Sequence, residues 1–244
     1  MVGQKDHVVI LDAGTGIRLA GEHLLNDARD IILVLSHPHW DHIQGFPFFA
    51  PLYEQGRRIT LVAPDHPDWL DILMGQIDGI RFPVTSGFLS CSLEFSTDLE
   101  EALRPAAIEA SQISTNHAGD GLGYCLQVGG QSIVYLTDNE LLPPSAPSTT
   151  LDEFAAFCAG ADLLIHDAQY VAADLPYKAG WGHSTAQQVI DLAIAASVSR
   201  VALFHHDPAT TDADLANRAA AWRRQLDSRG IELVIATDGL TLNL

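Results

Sequence analysis

The segment Ser36-His37-Pro38-His39-Trp40-Asp41-His42 directly follows residues 31–35, an apolar run with the β-branched pattern of a buried strand. Three imidazoles and a carboxylate within six residues are costly to bring together without a cation, because protonated imidazoles repel each other and buried neutral ones need partners. Histidine nitrogen and carboxylate oxygen are the ligands that zinc and related divalent ions take. We therefore prefer a metal site here over the alternative, a polar loop with incidental histidines.

In an extended loop alternate side chains point the same way, so His37 and His39 can hold one ion while Asp41 and His42 turn toward a second position. Downstream, three more ligand-type side chains lie where a strand-like run gives way to a loop: His117, Asp138 and His205. That is the usual location of sites in α/β folds, so this placement strengthens the prediction of a metal site.

A second motif, Gly182-His183-Ser184-Thr185, stands at the start of an apolar helical pattern over residues 184–197. Ser184 and Gln187 have the spacing of a capping box, which would fix the backbone beside His183. A histidine in front of a helix N-terminus and near a carboxylate is suited to act as a general acid. The alternative is that Ser184 is only a cap and His183 an exposed loop residue.

The remaining pattern predicts a mixed α/β layered fold in a single domain over residues 1–244. Hydrophobic residues make up 47% of the sequence, enough for a sizeable core. Strands are expected at residues 7–11, 31–35, 58–62, 161–166 and 200–205. Helices are expected at residues 17–28, 67–76, 151–159, 184–197 and 212–228. Residues 88–136 are strand-rich, and the turn Gly129-Gly130 predicts a hairpin there.

Charge and cysteine content limit the partners and the compartment. The formal charge is −18 and the 13 lysines and arginines are scattered, which argues against large nucleic acids as partners. No apolar run is long enough to span a membrane, and no signal peptide is visible. Three widely spaced cysteines form no disulfide framework, so we expect a cytoplasmic protein. A homodimer stays open.

The segment His37-Pro38-His39-Trp40-Asp41-His42, followed in order by His117, Asp138 and His205, resembles the metallo-β-lactamase superfamily. The resemblance implies a four-layer αβ/βα sandwich, and it leaves open that the first N-terminal strand of that fold is missing here. It also implies a binuclear centre of two divalent ions, zinc by preference, with manganese or iron as alternatives. By the family pattern one ion is held by His37, His39 and His117, the second by Asp41, His42 and His205, and Asp138 bridges the two.

The branch of the superfamily is indicated by two further features. A carboxylate at Asp138, where the antibiotic-hydrolysing members commonly have cysteine, favours the binuclear hydrolases. His166-Asp167-Ala168-Gln169-Tyr170 and the motif around His183 resemble the paired loops of the phosphodiesterase branch, which includes ribonuclease Z. That resemblance implies that His183 protonates the leaving oxygen and Asp167 orients it. Asp41 would ligate a metal and accept a hydrogen bond from the attacking water.

The predicted function is hydrolysis of a small phosphodiester, such as a cyclic nucleotide or another cyclic phosphate. Only 138 − 117 = 21 residues separate His117 from Asp138, whereas ribonuclease Z inserts its tRNA-gripping arm in that interval. The alternative is a thioester, ester or lactone hydrolase on the same centre, and a metal-binding protein without turnover is the third. Four residues are expected at the substrate rim: Tyr170, Lys178, Trp181 and His206. Lys178 is the cation expected to meet a phosphate, and Asp12 is expected either to brace the histidine-rich loop or only to cap a turn.

Overall fold

The structure is a computed structural model that describes residues 1–65 and 68–244. The chain divides into two compact units, Met1–Glu109 and Ala110–Leu244. Each unit combines one β-sheet with helices, as the sequence predicts for an α/β protein. The prediction of one domain over residues 1–244 stays a prediction. Within the described residues, no helix combines the length and the apolar character needed to cross a membrane.

The first unit contains a five-stranded sheet in the order β1-β2-β3-β4-β5. Its strands are Val2–Gly3 (β1), His7–Leu11 (β2), Asp30–Val34 (β3), Arg58–Val62 (β4) and Ser92–Ser96 (β5). Strands β2 to β5 are parallel, and the short β1 pairs antiparallel with β2, so a strand does precede β2 in this sheet. Strand β3 is buried on both faces, which explains its continuous apolar run.

The helices of the first unit are Ile17–Leu24 (α1), Trp40–Ile43 (α2), Trp69–Met74 (α3) and Leu99–Leu103 (α4). Helix α1 ends four residues before the expected boundary, because Asn26 adopts a left-handed φ of 68°. The expected helix over 67–76 is shorter, and Pro67 lies outside the described residues. The sequence analysis missed α4, although Asp98 caps it by accepting a 2.9 Å hydrogen bond from the amide of Glu101.

The second unit contains a six-stranded sheet in the order β11-β10-β9-β8-β7-β6. Its strands are Glu109–Ser114 (β6), Leu122–Val128 (β7), Gln131–Leu136 (β8), Leu163–Asp167 (β9), Arg200–Phe204 (β10) and Glu232–Ile235 (β11). The hairpin predicted at Gly129-Gly130 is confirmed, since β7 and β8 pair antiparallel across it. Strands β8 to β11 are parallel, and the sequence analysis did not predict β11.

The helices of the second unit are Leu151–Phe157 (α5), Leu175–Lys178 (α6), Ala186–Ala195 (α7) and Asp212–Asp227 (α8). The predicted capping box at Ser184 is wrong by one residue. Thr185 is the N-cap of α7: it accepts a hydrogen bond from the amide of Gln188, and its own amide donates 2.8 Å to Oε1 of Gln188. Ser184 is buried instead, and its hydroxyl donates to the carbonyl of Asn139 at 2.6 Å.

Candidate active site

Three of the predicted site residues emerge at one edge of the second sheet. Strands β8, β9 and β10 are parallel neighbours, with Leu136 opposite His166 and Phe204 opposite Asp167. The carboxyl ends of parallel strands meet at the same edge, which is where α/β folds place their ligands. The following side chains therefore lie side by side: Asp138, Asp167 and His205.

The backbone at this edge is strained. Asp138 and His205 have φ values of 45° and 53°, in the left-handed region that non-glycine residues rarely adopt. Such conformations cost on the order of 1–3 kcal/mol each and cluster at functional sites. Both turns direct a polar side chain away from a strand end that would otherwise continue the sheet.

The donors of the second unit form a compact cluster. One ligand-type atom from each of four side chains lies within 4.8 Å of all the others: Asp138, Asp167, His183 and His205. His117 joins this cluster, because its Nε2 is 3.5 Å from Oδ2 of Asp138. On the other side of the same carboxylate, Nε2 of His205 is 3.3 Å from Oδ1. The carboxylate of Asp138 is thus flanked by two imidazoles.

The loop before α7 orients His117. Nδ1 of His117 donates a 2.9 Å hydrogen bond to the carbonyl of Gly182. Since a carbonyl can only accept, Nδ1 carries a proton, and Nε2 is the ring nitrogen that faces Asp138. Gly182 has a φ of 86°, and a Cβ added there would lie 2.1 Å from Nδ1 of His117. Glycine is therefore required at this position by both backbone and space.

His183 and Asp167 form a close, shielded pair. Nδ1 of His183 donates a 2.6 Å hydrogen bond to Oδ2 of Asp167, whose side chain is fully buried. Asp167 also accepts from the amide of Gln169 at 2.9 Å and from the amide of Asn139 at 3.2 Å. These donors stabilise the ionised carboxylate, which in turn fixes the ring of His183. The ring stacks on His205 at a centroid distance of 5.3 Å.

In the first unit, Asp12 braces the histidine-rich loop. This is the first of the two roles that the sequence analysis considered for it. Its carboxylate accepts hydrogen bonds from the amide of Ser36 at 2.7 Å, from the hydroxyl of Ser36 at 2.9 Å and from Nδ1 of His42 at 2.9 Å. The other ring nitrogen of His42, Nε2, lies 3.4 Å from Oδ2 of Asp41. A Cβ at Gly14 would lie 2.5 Å from the carbonyl oxygen of Asp41, so this turn and the loop are in close contact.

His37 and His39 make a T-shaped ring contact in the same loop. Nε2 of His37 is 3.1 Å from Nδ1 of His39, and the ring centroids are 4.6 Å apart. The hydroxyl of Ser36 already donates to Asp12, so it accepts from Nδ1 of His37 at 3.0 Å. Nε2 is thus the ring nitrogen of His37 that faces His39.

The donor sets of both units fit divalent cations. Nε2 of His42 lies 3.4 Å from Oδ2 of Asp41, and Nε2 of His117 lies 3.5 Å from Oδ2 of Asp138. These nitrogen and oxygen donors are the ligands of zinc, manganese and iron sites, so each pair fits a divalent cation. The buried partners of the imidazoles, Asp12 and the carbonyl of Gly182, are typical of residues that orient metal ligands.

Asp138 belongs to a buried polar run after β8, of which the sequence analysis missed the other members: Thr137, Asn139 and Glu140. Oδ1 of Asn139 accepts from the amide of Asn116, and its Nδ2 donates to Nε2 of His166 at 3.2 Å. The other ring nitrogen of His166 donates to the carbonyl of Asp167, and burial lowers the pKa of His166. Four consecutive polar residues directly after an apolar strand could have revealed this network in the sequence. Polar residues buried at a strand end need specific hydrogen-bond partners.

The four residues expected at the substrate rim differ in how far they are exposed to solvent. Trp181 is 63% exposed, whereas Tyr170 is buried with its ring edge-on to His183, and desolvation raises its pKa to about 12. Lys178 is bound within the unit: its Nζ is 3.0 Å from Asp207 and lies over the ring of Tyr170. The hydrogen bond to Asp207 raises the pKa of Lys178. His206 is half-buried, and burial lowers its pKa.

Comparison with known proteins identifies the family. The sequence profile of the family described as "Beta-lactamase superfamily domain" matches residues 7–206, most of the chain. The chain belongs to the β-lactamase superfamily. The predicted fold class, a metallo-β-lactamase α/β sandwich, is confirmed by this match and by solved superfamily structures.

Two solved structures cover nearly all of this superfamily member. The metallo-β-lactamase fold protein YhfI of Bacillus subtilis has a TM-score of 0.63 and 18% identity, over 96% of this chain and 87% of that one. The human short-form tRNase Z has a TM-score of 0.63 and 17% identity, over 99% and 90%. At these identities the likeness shows the fold.

Curated relatives of this superfamily member match a shorter stretch. Ribonuclease Z of Picrophilus torridus is 36% identical over 86 residues, 35% of this chain and 25% of that protein. Ribonuclease Z of Brevibacillus brevis is 36% identical over 85 residues, 35% of this chain and 24% of that protein. The chain thus spans about a quarter of the length of these curated relatives.

Proposed function

We propose that this protein is a binuclear metal-dependent hydrolase that cleaves a small phosphodiester, such as a cyclic nucleotide or another cyclic phosphate. The observation that carries the proposal is the 2.6 Å hydrogen bond between His183 and Asp167, beside the donors Asp138 and His205. A positioned acid of this kind is needed most when the leaving group is a poor one, such as a nucleoside hydroxyl. Thioesters and lactones need it less.

The proposed ligands follow the superfamily pattern on this chain's own residues. One ion would be held by His37, His39 and His117, and the other by Asp41, His42 and His205, with Asp138 as the bridge. Zinc is the preferred metal, with manganese or iron as alternatives. When bound, two such ions supply Lewis-acid activation of the phosphoryl group and of the attacking water.

The chain's own residues handle the protons. Nδ1 of His183 is committed to Asp167, so a second proton on that imidazole sits on Nε2. The buried carboxylate of Asp167 stabilises the imidazolium, which delivers the Nε2 proton to the departing alkoxide. Asp41 would accept a hydrogen bond from the attacking water and so orient it for in-line attack.

The size of the substrate is argued from charge and spacing. A formal charge of −18 disfavours long polyanions. His117 and Asp138 are 21 positions apart (138 − 117), and the chain between them is taken up by the hairpin of β7 and β8 rather than by an RNA-binding arm. Support for phosphoester chemistry comes from the ribonuclease Z relatives and from the likeness to a diphosphatase of the PhnP family, with a TM-score of 0.63 and 22% identity.

A substrate panel tests the proposal. Protein loaded with zinc or manganese is assayed on bis(p-nitrophenyl) phosphate, 2′,3′- and 3′,5′-cyclic nucleotides, a precursor tRNA, a thioester and a lactone. The proposal predicts the highest kcat/KM on a small phosphodiester. Faster turnover of the thioester or the lactone would support the alternative, an ester hydrolase, and turnover of the precursor tRNA would contradict the proposed substrate size.

A further inference from the structure

Glu140 is an acidic side chain buried in the second unit without a basic partner. It is 2% exposed, and within residues 1–65 and 68–244 it forms no ion pair. A buried carboxylate is costly unless specific donors compensate for the lost water. The search for these donors leads to the loop that carries His183.

The carboxylate of Glu140 binds two backbone amides of that loop. Oε1 and Oε2 accept from the amide of Gly180 at 2.9 and 3.0 Å, and Oε2 also accepts from the amide of Gly182 at 3.0 Å. Both glycines have φ values of 86°, a conformation in which glycine is favoured. The backbone amides of the loop therefore point toward one carboxylate, that of Glu140.

Two residues of the candidate site depend on the position of this loop. The carbonyl of Gly182 accepts the hydrogen bond that orients His117, and His183 is the next residue in the chain. Glu140 itself follows Asp138 by two residues, and its backbone carbonyl accepts from Nδ2 of Asn116, the residue before His117. The side chain of Glu140 thus connects the segment of Asp138 with the loop of His183, and its backbone carbonyl holds the segment of His117.

We propose that Glu140 is a positioning residue that fixes His183 and His117 together, through the amides of Gly180 and Gly182. The placement of the loop is independent of any substrate, whereas its consequence for turnover rests on the function proposed above. In Glu140→Gln one of the two acceptor oxygens is replaced by an NH2 group. This NH2 group is a donor, and it faces a backbone N–H that is also a donor. The loop should loosen, and His183 should lose its alignment with Asp167.

Hydrogen exchange of the metal-free protein tests the placement. In Glu140→Gln the amides of Gly180 and Gly182 should exchange about 10- to 100-fold faster, since a hydrogen bond to a charged group contributes about that factor. Glu153→Gln is the matched control: Glu153 is exposed at the third position of α5, where glutamine also completes a capping box, and both glycine amides should be unaffected. If Glu140→Gln does not fold, hydrogen exchange of the wild type still tests the placement. Absence of any protection at the amides of Gly180 and Gly182 in the wild type would overturn the proposal.

Kinetics of the metal-loaded protein separate positioning from mere stabilisation. For a diester with an unactivated alcohol leaving group, Glu140→Gln should lower kcat about 10- to 100-fold with KM unchanged, because misplacing the acid affects the transition state. For bis(p-nitrophenyl) phosphate, whose leaving group needs no proton, kcat per bound metal ion should stay near the wild-type value. At equal measured metal content, an equal loss on both substrates, or none, would overturn the inference alone. A wild type inactive on every diester would instead overturn the proposed function.

Discussion

The imidazole of His183 and the carboxylate of Asp167 are joined by a 2.6 Å hydrogen bond, and Asp167 is withdrawn completely from solvent. Asp167 ends β9 and His183 precedes α7, 16 positions later in the chain, so the intervening segment must fold to bring them together. Two backbone amides donate hydrogen bonds to the carboxylate and fix its position. The pair therefore has the geometry of a general acid with its orienting base.

Asp167→Asn should lower kcat on an unactivated phosphodiester by about 100-fold or more, within the range that a positioned acid contributes. An amide in place of the carboxylate no longer stabilises the imidazolium of His183. Metal content measured by elemental analysis should stay at the wild-type level, because Asp167 is not among the proposed ligands. A variant that loses its metal instead would show that Asp167 acts as a ligand.

Gly182→Ala should lower metal content and activity together, because the new Cβ would occupy the space of the His117 ring. Gly160→Ala is the matched control. Gly160 has a φ of 68°, but no described atom lies within 4 Å of the position of an added Cβ. Both variants should lose about 1–2 kcal/mol of stability from the left-handed backbone, and only Gly182→Ala should release metal. Equal metal contents would contradict the role of the Gly182 carbonyl in holding His117.

Thr185→Ala should lower the free energy of unfolding by about 1 kcal/mol, the usual cost of a lost N-cap. Thr185→Ser retains the hydroxyl that accepts from Gln188 and should cost much less. Urea denaturation of the two variants makes the comparison. Equal losses would show that the methyl group of Thr185, rather than the cap, stabilises the start of α7.

Stability of the metal-free protein should fall as the pH drops below about 6.5, the ordinary pKa of histidine. Burial lowers the pKa of His166, so the unfolded chain binds its proton first and unfolding is favoured in acid. The stability that depends on neutral His166 is fully present above pH 6.5 and is lost progressively as the pH falls below it.

His166→Gln removes this titration, so the stability difference between wild type and variant should shrink by up to about 1.4 kcal/mol per pH unit below 6.5. His23→Gln, on the exposed side of α1, serves as the control and should follow the wild-type curve. A pH-independent difference for His166→Gln would refute the buried neutral state of His166.

Most strands and helices were predictable because their patterns are local. The run at β3 and the hairpin at Gly129-Gly130 need only periodicity and turn chemistry. Helix α4 was missed because it is five residues long and lies between strand-like segments. The cap of α7 was misplaced because Ser184 and Thr185 both fit the motif, and only the buried bond from Ser184 to Asn139 distinguishes them.

The candidate ligands were predictable from residue type and position, whereas their supports were not. Asn139 and Glu140 act through partners about 30 to 40 residues away, such as Asp167 and Gly180. No local pattern predicts such pairings, since they depend on which strand ends become neighbours in the sheet. Lys178 is a further example. The sequence analysis expected it to meet a phosphate, but its ion pair with Asp207 depends on the fold and not on its sequence neighbours.

The most direct test of the account compares His183→Ala with the wild type at equal, measured metal content. We predict that kcat on a diester with an unactivated leaving group falls at least about 100-fold, while turnover of bis(p-nitrophenyl) phosphate stays near the wild-type value and the ions are retained. Unchanged turnover of the unactivated diester by the metal-loaded variant would contradict the assignment of His183 as the acid, and with it the proposed phosphodiesterase mechanism.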